Sequence, residues 1–333
     1  MGRKSLSNRS STSSRVYWAD LLRGLCMLAI LWFHTEVYYI GHEQTPYILY
    51  VADALAVFFF LSGYFFYRRW GFEPRQKLHS LWRHLVVPYF MFMLCFALPK
   101  SLAHHKDLDF VEMLQPILMG EASWFITALV MAQLLFIFFL WITREKMLPL
   151  TILTLLSVVA AACFSNADHS IIAFNEFNFW HINEALLAVF FLFLGYTCHR
   201  YPVVFRQLSH WYYLLPLLLL WIALKYYVWN SGFQMLFGPL NATPLLLFIL
   251  ILTMSTLLFC AISQYLPSCA PVEWVGRHSL VYYFFCGGVP FMVSQVMIRN
   301  GITYQPLTLL IAFLAVVIIT TVITRYIYRT RLL

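Results

Sequence analysis

Apolar residues in this chain come in long, nearly unbroken runs separated by short polar stretches, without the strict alternation of half-buried strands. The runs fall at about 17–40, 49–67, 82–99, 122–142, 147–164, 182–198, 211–229, 243–263, 279–298 and 306–327. Each is close to the roughly 20 residues that a helix needs to cross a bilayer. The pattern predicts an all-α integral membrane protein, a bundle of about ten transmembrane helices. Residues 1–14, MGRKSLSNRSSTSS, are polar, basic and Ser-rich and predict a disordered tail, followed by a single transmembrane domain over 15–333. The first run extends to Ile40 with no small-x-small cleavage site after it, so it reads as a retained helix, not a removed signal.

Composition agrees with this. Of 333 residues, 62% are hydrophobic and 11% charged, whereas soluble domains carry about 25% charged residues. The net charge of +8 would suit nucleic acid, but its placement along the chain argues for topology instead. Arg68, Arg69, Arg75, Lys77, Arg83, Arg144, Lys146, Arg200, Arg206, Arg277, Arg325, Arg329 and Arg331 sort with the N-terminal tail to one side of the predicted bundle. The other side holds Lys100, Lys106 and Arg299, with Lys225 inside the seventh run. This asymmetry predicts that both termini are cytoplasmic. The seven cysteines lie mostly within apolar runs and form no C-x-x-C pair, so they read as small buried hydrophobes and not as a disulfide framework or metal site. No Walker motif, Gly-rich dinucleotide loop or internal repeat is evident.

Ionisable residues inside such runs are costly and mark candidate chemistry. In RVYWADLLRGLCMLAILWFH, residues 15–34, Asp20, Arg23 and His34 share one helical stripe with Met27 and Ile30. The axial gap from Arg23 to His34 is about 16 Å. His34 can serve as general base or as a transient acyl acceptor. Arg23 has the planar fork that suits phosphate or carboxylate. Asp20 joins His34 as a candidate catalytic residue by pairing with Arg23 and orienting it; a purely structural ion pair is the alternative.

Arg68 and Arg69 follow FFFLSGYFFY on the same side as Arg23, and the three could share an anionic ligand, although positive-inside anchoring alone also explains them. Ser62 and Gly63 within that run read as a helix-packing contact. Glu121 and Trp124, in GEASWFITAL, could present a carboxylate and an aromatic platform to a carbohydrate, or be belt residues. Asp53 and Glu36 are further carboxylates with the same ambiguity, and His104 and His105 read as loop residues.

In order, these pieces resemble the membrane acyltransferase-3 family. The resemblance rests on Asp20-Leu-Leu-Arg23-Gly24 with His34 eleven residues after the arginine, and on Phe58-Phe59-Phe60-Leu61-Ser62-Gly63 followed by Arg68 or Arg69. It continues through Arg83…Pro88-Tyr89, Trp124-Phe125 with Leu129, FFLFLGY at 190–196, and Gly276, Ser279, Leu280 and Tyr283, covering residues 15 to 327. Two departures stand out. Cys286 occupies the neighbourhood where many members carry a histidine, and Ala56 replaces an aspartate or proline ahead of the phenylalanines.

The resemblance implies transfer of an acyl group, commonly acetyl, from cytoplasmic acyl-CoA to a hydroxyl of a glycan or other exported compound in a bacterial inner membrane. It implies acyl-CoA as co-substrate, and no bound cofactor or metal is expected; the helix geometry suits this, with Arg23, Arg68 and Arg69 meeting the donor's phosphates, while Trp124 and Glu121 remain candidates to face the acceptor. A transporter or flippase of an amphipathic glycan or lipid is the competing expectation, and a structural envelope protein a third.

Overall fold

The computed structural model describes residues 16–103, 110–165, 178–233, 235–302 and 305–330. His104, His105 and most of the loops at 104–110 and 165–183 lie outside them. The chain runs through α1 (Tyr17–Ile40), a 3-10 turn at Tyr47–Leu49, α2 (Val51–Tyr64), α3 (Pro74–Leu81), α4 (Val87–Ala103), α5 (Phe110–Met119), α6 (Trp124–Thr143) and α7 (Met147–Ser165). Then come α8 (Ile182–Arg200), α9 (Pro202–Leu208), α10 (Trp211–Ser231), α11 (Leu245–Tyr265), α12 (Ala270–Arg277), α13 (Ser279–Phe285), α14 (Gly288–Arg299) and α15 (Pro306–Arg329). A two-stranded antiparallel ribbon, β1 (Met235–Leu236) with β2 (Asn241–Ala242), joins α10 to α11.

Among the described residues, eight helical stretches are long and apolar enough to cross a membrane, and nine if α13 and α14 count as one span bent by 46°. The second of the ten expected spans differs. Helix α2 has 14 residues, about 21 Å of helix, short of the roughly 30 Å hydrocarbon core. The third expected span begins earlier than its apolar run, because Pro74–Ala97 forms one continuous stretch. That stretch includes a wide π turn at Trp82–Val86, directly ahead of Pro88, which has no N–H and whose ring crowds the preceding turn.

Helix α1 is the hub, packing against α2, α11, α12, α13, α14 and α15, while α8 fills the space between α2, α6 and α7. By contrast α10 buries only Lys225 and Val228; its leucines and aromatics face outward, as lipid contact requires.

Two close crossings set the frame. A Cβ on Gly24 would collide with the Val272 carbonyl of α12, and one on Gly276 with the Asp20 carbonyl of α1. Likewise Gly63 of α2 sits against the Leu192 carbonyl of α8, and Gly195 against that of Phe60. The packing role expected for Gly63 is thus present, with FFLFLGY as its partner. Small residues permit backbones to approach this way where lipid gives no hydrophobic drive for association. Gly276→Leu is therefore expected to cost about 3 kcal/mol, the upper range of overpacking, read as a lowered thermal midpoint in detergent; an unchanged midpoint would mean that the crossing has slack.

Candidate active site

Met27 and Ile30, between Arg23 and His34 on the α1 stripe, are fully buried, so the stripe faces the bundle interior. At the Tyr17 end, Arg23 lies 3.6 Å from Asp20. The guanidinium stands 4.9 Å above the Phe65 ring, at the end of α2. Asp20 is fourteen residues from His34, about 21 Å along the helix, so it is within reach of Arg23 and out of reach of the atoms around His34. The tight Gly24–Gly276 crossing holds this end of α1 in place.

Cations gather where α2 ends. Lys77 donates to the Phe65 carbonyl at 2.9 Å and its Nζ stands 4.3 Å over the Phe66 ring. Arg68 lies within electrostatic reach of Lys77 and donates to Gln76 at 2.8 Å. Arg69 is exposed. The loop that carries them is pinned by Glu145, whose carboxylate accepts from the Phe72 N–H at 2.9 Å and the Tyr196 hydroxyl at 3.1 Å. The Glu145 carbonyl also accepts from Arg200. Arg23 and Arg68 thus converge on one helix end, together with Lys77, which basic patterning alone did not single out.

Further along α1, His34 is half-buried between rings, edge-on to Phe33 at 5.5 Å and stacked with Tyr38 at 6.1 Å. Neither ring nitrogen has a hydrogen-bond partner among the described residues, so the unprotonated nitrogen of the neutral ring stays open to a substrate proton. Tyr38 follows His34 by four residues and shares its face. It meets Phe291 of α14 edge-on at 5.7 Å, and its hydroxyl reaches Gly287 at the break between α13 and α14. Cys286, buried at that break, lies within electrostatic reach of Tyr38 and Tyr283. Tyr283 in turn meets Phe125 at 5.1 Å. The Gly-x-x-Ser-Leu-x-x-Tyr and Trp-Phe elements therefore meet beside the α1 histidine.

Glu121 and Trp124 occupy different settings. Glu121 is exposed, whereas Trp124 is half-buried, with Gly238 against its six-membered ring and His181 edge-on at 6.3 Å. The carboxylate near Trp124's neighbours is Glu184. It accepts from Asn178 at 2.7 Å and the Leu240 N–H at 2.8 Å, and lies 3.4 Å from His181. Glu184 sits at the start of an apolar run like an ordinary helix-end residue, and no spacing signal marks it.

The other two carboxylates are buried and partnered. Glu36 accepts from the Tyr50 hydroxyl at 3.5 Å. Asp53 pairs with Lys225 at 2.7 Å, and Lys225 also donates to the Ile48 carbonyl. Of the cysteines, Cys26, Cys260 and Cys286 are buried as expected, but Cys95, Cys163 and Cys269 are exposed.

Comparison with known proteins adds one finding. The model of the acyltransferase domain of the acyltransferase-3 type matches residues 16–329, while no curated protein and no solved structure matches. The match spans the α1 stripe, the cationic end of α2 and the broken span beside His34, and the chain belongs to the acyltransferase-3 family of multi-pass membrane acyltransferases.

Proposed function

We propose that the protein moves an acyl group, acetyl in the simplest case, from cytoplasmic acyl-CoA to a hydroxyl of a glycan or related envelope compound. The observation that carries this reading is the division of α1. An arginine joins other cations at one end, and about 16 Å away a histidine whose ring nitrogens have no hydrogen-bond partner among the described residues sits among aromatic rings. In this reading Arg23, Arg68, Arg69 and Lys77 receive the donor's phosphates, and Asp20 holds Arg23 in position. The pantetheine arm runs along the stripe and brings the thioester to His34.

The acceptor O–H gives its proton to the imidazole as its oxygen attacks the thioester carbon. A C–O bond forms, the C–S bond breaks, and the thiolate recovers the proton from the imidazolium. Trp124 and Glu121 belong to the acceptor's side of the bundle. Counting the short apolar α2, with the Tyr47–Leu49 turn stacked ahead of it, as a tenth crossing gives two cytoplasmic termini, in agreement with the charge of the loops. The basic tail 1–14 lies outside the described residues, and a bacterial inner membrane is the setting that suits this chemistry.

The test supplies radiolabelled acetyl-, succinyl- and longer acyl-CoA to membranes holding the protein and follows label into a base-labile ester. Ester formation from at least one donor is expected. Movement of a glycan or lipid across the membrane without any ester would overturn the reading in favour of transport. Arg23→Ala is expected to raise the acyl-CoA KM about tenfold, the loss of one charge-assisted contact. It is expected to leave turnover of acyl-pantetheine, which lacks the nucleotide phosphates, nearly unchanged. Equal losses with both donors would assign Arg23 to folding instead.

A further inference from the structure

At the end of α1 remote from Arg23, the structure contains a recess that neither the α1 stripe nor the cationic loop uses. It has a volume of about 340 Å³ and lies between the Tyr47–Leu49 turn and the end of α10. Its lining includes Tyr47, Trp229, Phe233, Leu236 and Glu43, within the range of about 300–1,000 Å³ typical of small-ligand sites. Trp229 is mostly exposed, while Tyr47 forms the floor with its side chain buried.

Glu43 accepts the Tyr47 N–H through Oε2 at 3.1 Å, and its Oε1 has no partner among the described residues. An exposed indole beside an open carboxylate oxygen matches a sugar ring. The apolar C–H face stacks on the aromatic, and neighbouring hydroxyls donate to the carboxylate.

Two features separate this recess from a gap in the lipid-facing surface. Its opposite walls are locked together inside the protein, because Lys225 of α10 donates to Asp53 and to the Ile48 carbonyl of the turn. Trp221 of the same helix adds a 2.6 Å bond to Ser255 of α11. A peripheral helix with two buried residues is thereby fixed at the position that shapes the recess. The floor also leads towards the histidine, since Tyr47 meets Phe33 at 5.7 Å and Phe33 meets His34 at 5.5 Å. Two aromatic rings, Tyr47 and Phe33, stand between the recess and the reacting group.

We propose that the recess between the Tyr47 turn and the end of α10 is the acceptor subsite. It takes the sugar ring next to the hydroxyl that receives the acyl group, with Trp229 as the stacking surface and Glu43 as the hydroxyl acceptor. This rests on the acyl-transfer reading above. The buried Lys225–Asp53 pair is a positioning device for the site, not a participant in the chemistry.

The test uses the full chain in membranes with radiolabelled acetyl-CoA, comparing wild type with Trp229→Ala, Glu43→Gln and, as a control, Trp211→Ala. Trp211 is an exposed aromatic at the opposite end of α10. Three quantities are followed: ester formed on the membranes' own acceptor, KM for acetyl-CoA, and release of CoA thiol by hydrolysis of the donor to water. The labelled product is hydrolysed and its sugar identified by mass.

Trp229→Ala and Glu43→Gln are each expected to lower ester formation at limiting acceptor about tenfold, with acetyl-CoA KM and donor hydrolysis unchanged. Trp211→Ala is expected to match wild type. Unchanged ester formation in both recess variants would overturn the assignment, and a raised acetyl-CoA KM would give the recess to the donor's acyl chain. Label on a product without sugar would overturn the ligand class. If wild type forms no ester, the acyl-transfer reading fails first and takes this inference with it.

Discussion

His34→Ala is expected to lower ester formation by a factor of about 10² to 10⁴, the usual contribution of a positioned general base, while the protein still inserts and elutes as wild type does. The side chain meets Phe33 and Tyr38 only through ring contacts, so its loss removes little packing and leaves no buried donor without a partner. His34→Gln sharpens the test. Glutamine approximates the size and one hydrogen bond of imidazole, but its amide cannot take a proton at neutral pH. A base role therefore makes His34→Gln as inactive as His34→Ala, whereas a merely polar lining for a transport path would tolerate it. Equal product from wild type and His34→Ala would remove His34 from the chemistry. Rapid quenching of wild type with labelled acetyl-CoA and no acceptor separates base from covalent carrier: direct transfer leaves the protein unlabelled, and an acyl-imidazole would leave hydroxylamine-sensitive label on it.

Much of this arrangement is legible in the residues themselves, for reasons that also explain where the reading stops. A run of apolar residues long enough to span a bilayer is a local property, and most of the expected spans are present as helices. The stripe of Asp20, Arg23 and His34 is equally local, because helical periodicity alone puts them on one face. Helix α2 departs because its apolar run continues beyond its helical residues at both ends: the preceding Tyr47–Leu49 turn and the following Phe65–Phe66 are apolar but outside the helix.

Contacts between distant segments are what the pattern does not carry. Gly63 reads as a packing residue from composition, but its contact with the Leu192 backbone, beside that of Gly195 with Phe60, emerges only when α2 and α8 cross. Lys77 looks like one more positive-inside charge until the chain turns it onto the Phe65 carbonyl. Tyr38 was within reach of sequence reasoning, since it sits one helical turn beyond His34 on the same face. In the other direction, Trp124 and Glu121 look like neighbours over three residues, yet the 3-10 turn at Glu121–Ser123 leaves one exposed and the other covered by Gly238.

Asp53→Ala is expected to destabilise the folded protein by about 3–5 kcal/mol, the cost of stranding one partner of a buried ion pair. Lys225 reaches the interior from a helix whose other side chains mostly face outward, and its ammonium has the Asp53 carboxylate at 2.7 Å as its counter-charge. Without it, one carbonyl must hold a cation in a dry, low-dielectric site. Lys225→Met strands the carboxylate instead and is expected to cost a similar amount. Removing both charges together reverses the penalty: Asp53→Leu with Lys225→Met is expected to return to within about 1 kcal/mol of wild type, or above it, since well-packed apolar pairs often match buried ion pairs. Thermal midpoints in detergent, read by intrinsic fluorescence and by monodispersity after heating, check all three. Single variants within about 0.5 kcal/mol of wild type, the range of ordinary surface substitutions, would show that the pair is hydrated and not buried. The double variant also separates stability from function. It restores the fold without the hydrogen bond from α10 to the Ile48 carbonyl, so the recess loses its brace while the protein stays folded. Ester formation at limiting acceptor should then remain low despite a wild-type midpoint, which is the behaviour of a residue pair whose purpose is to hold a binding site and not merely to hold the bundle together.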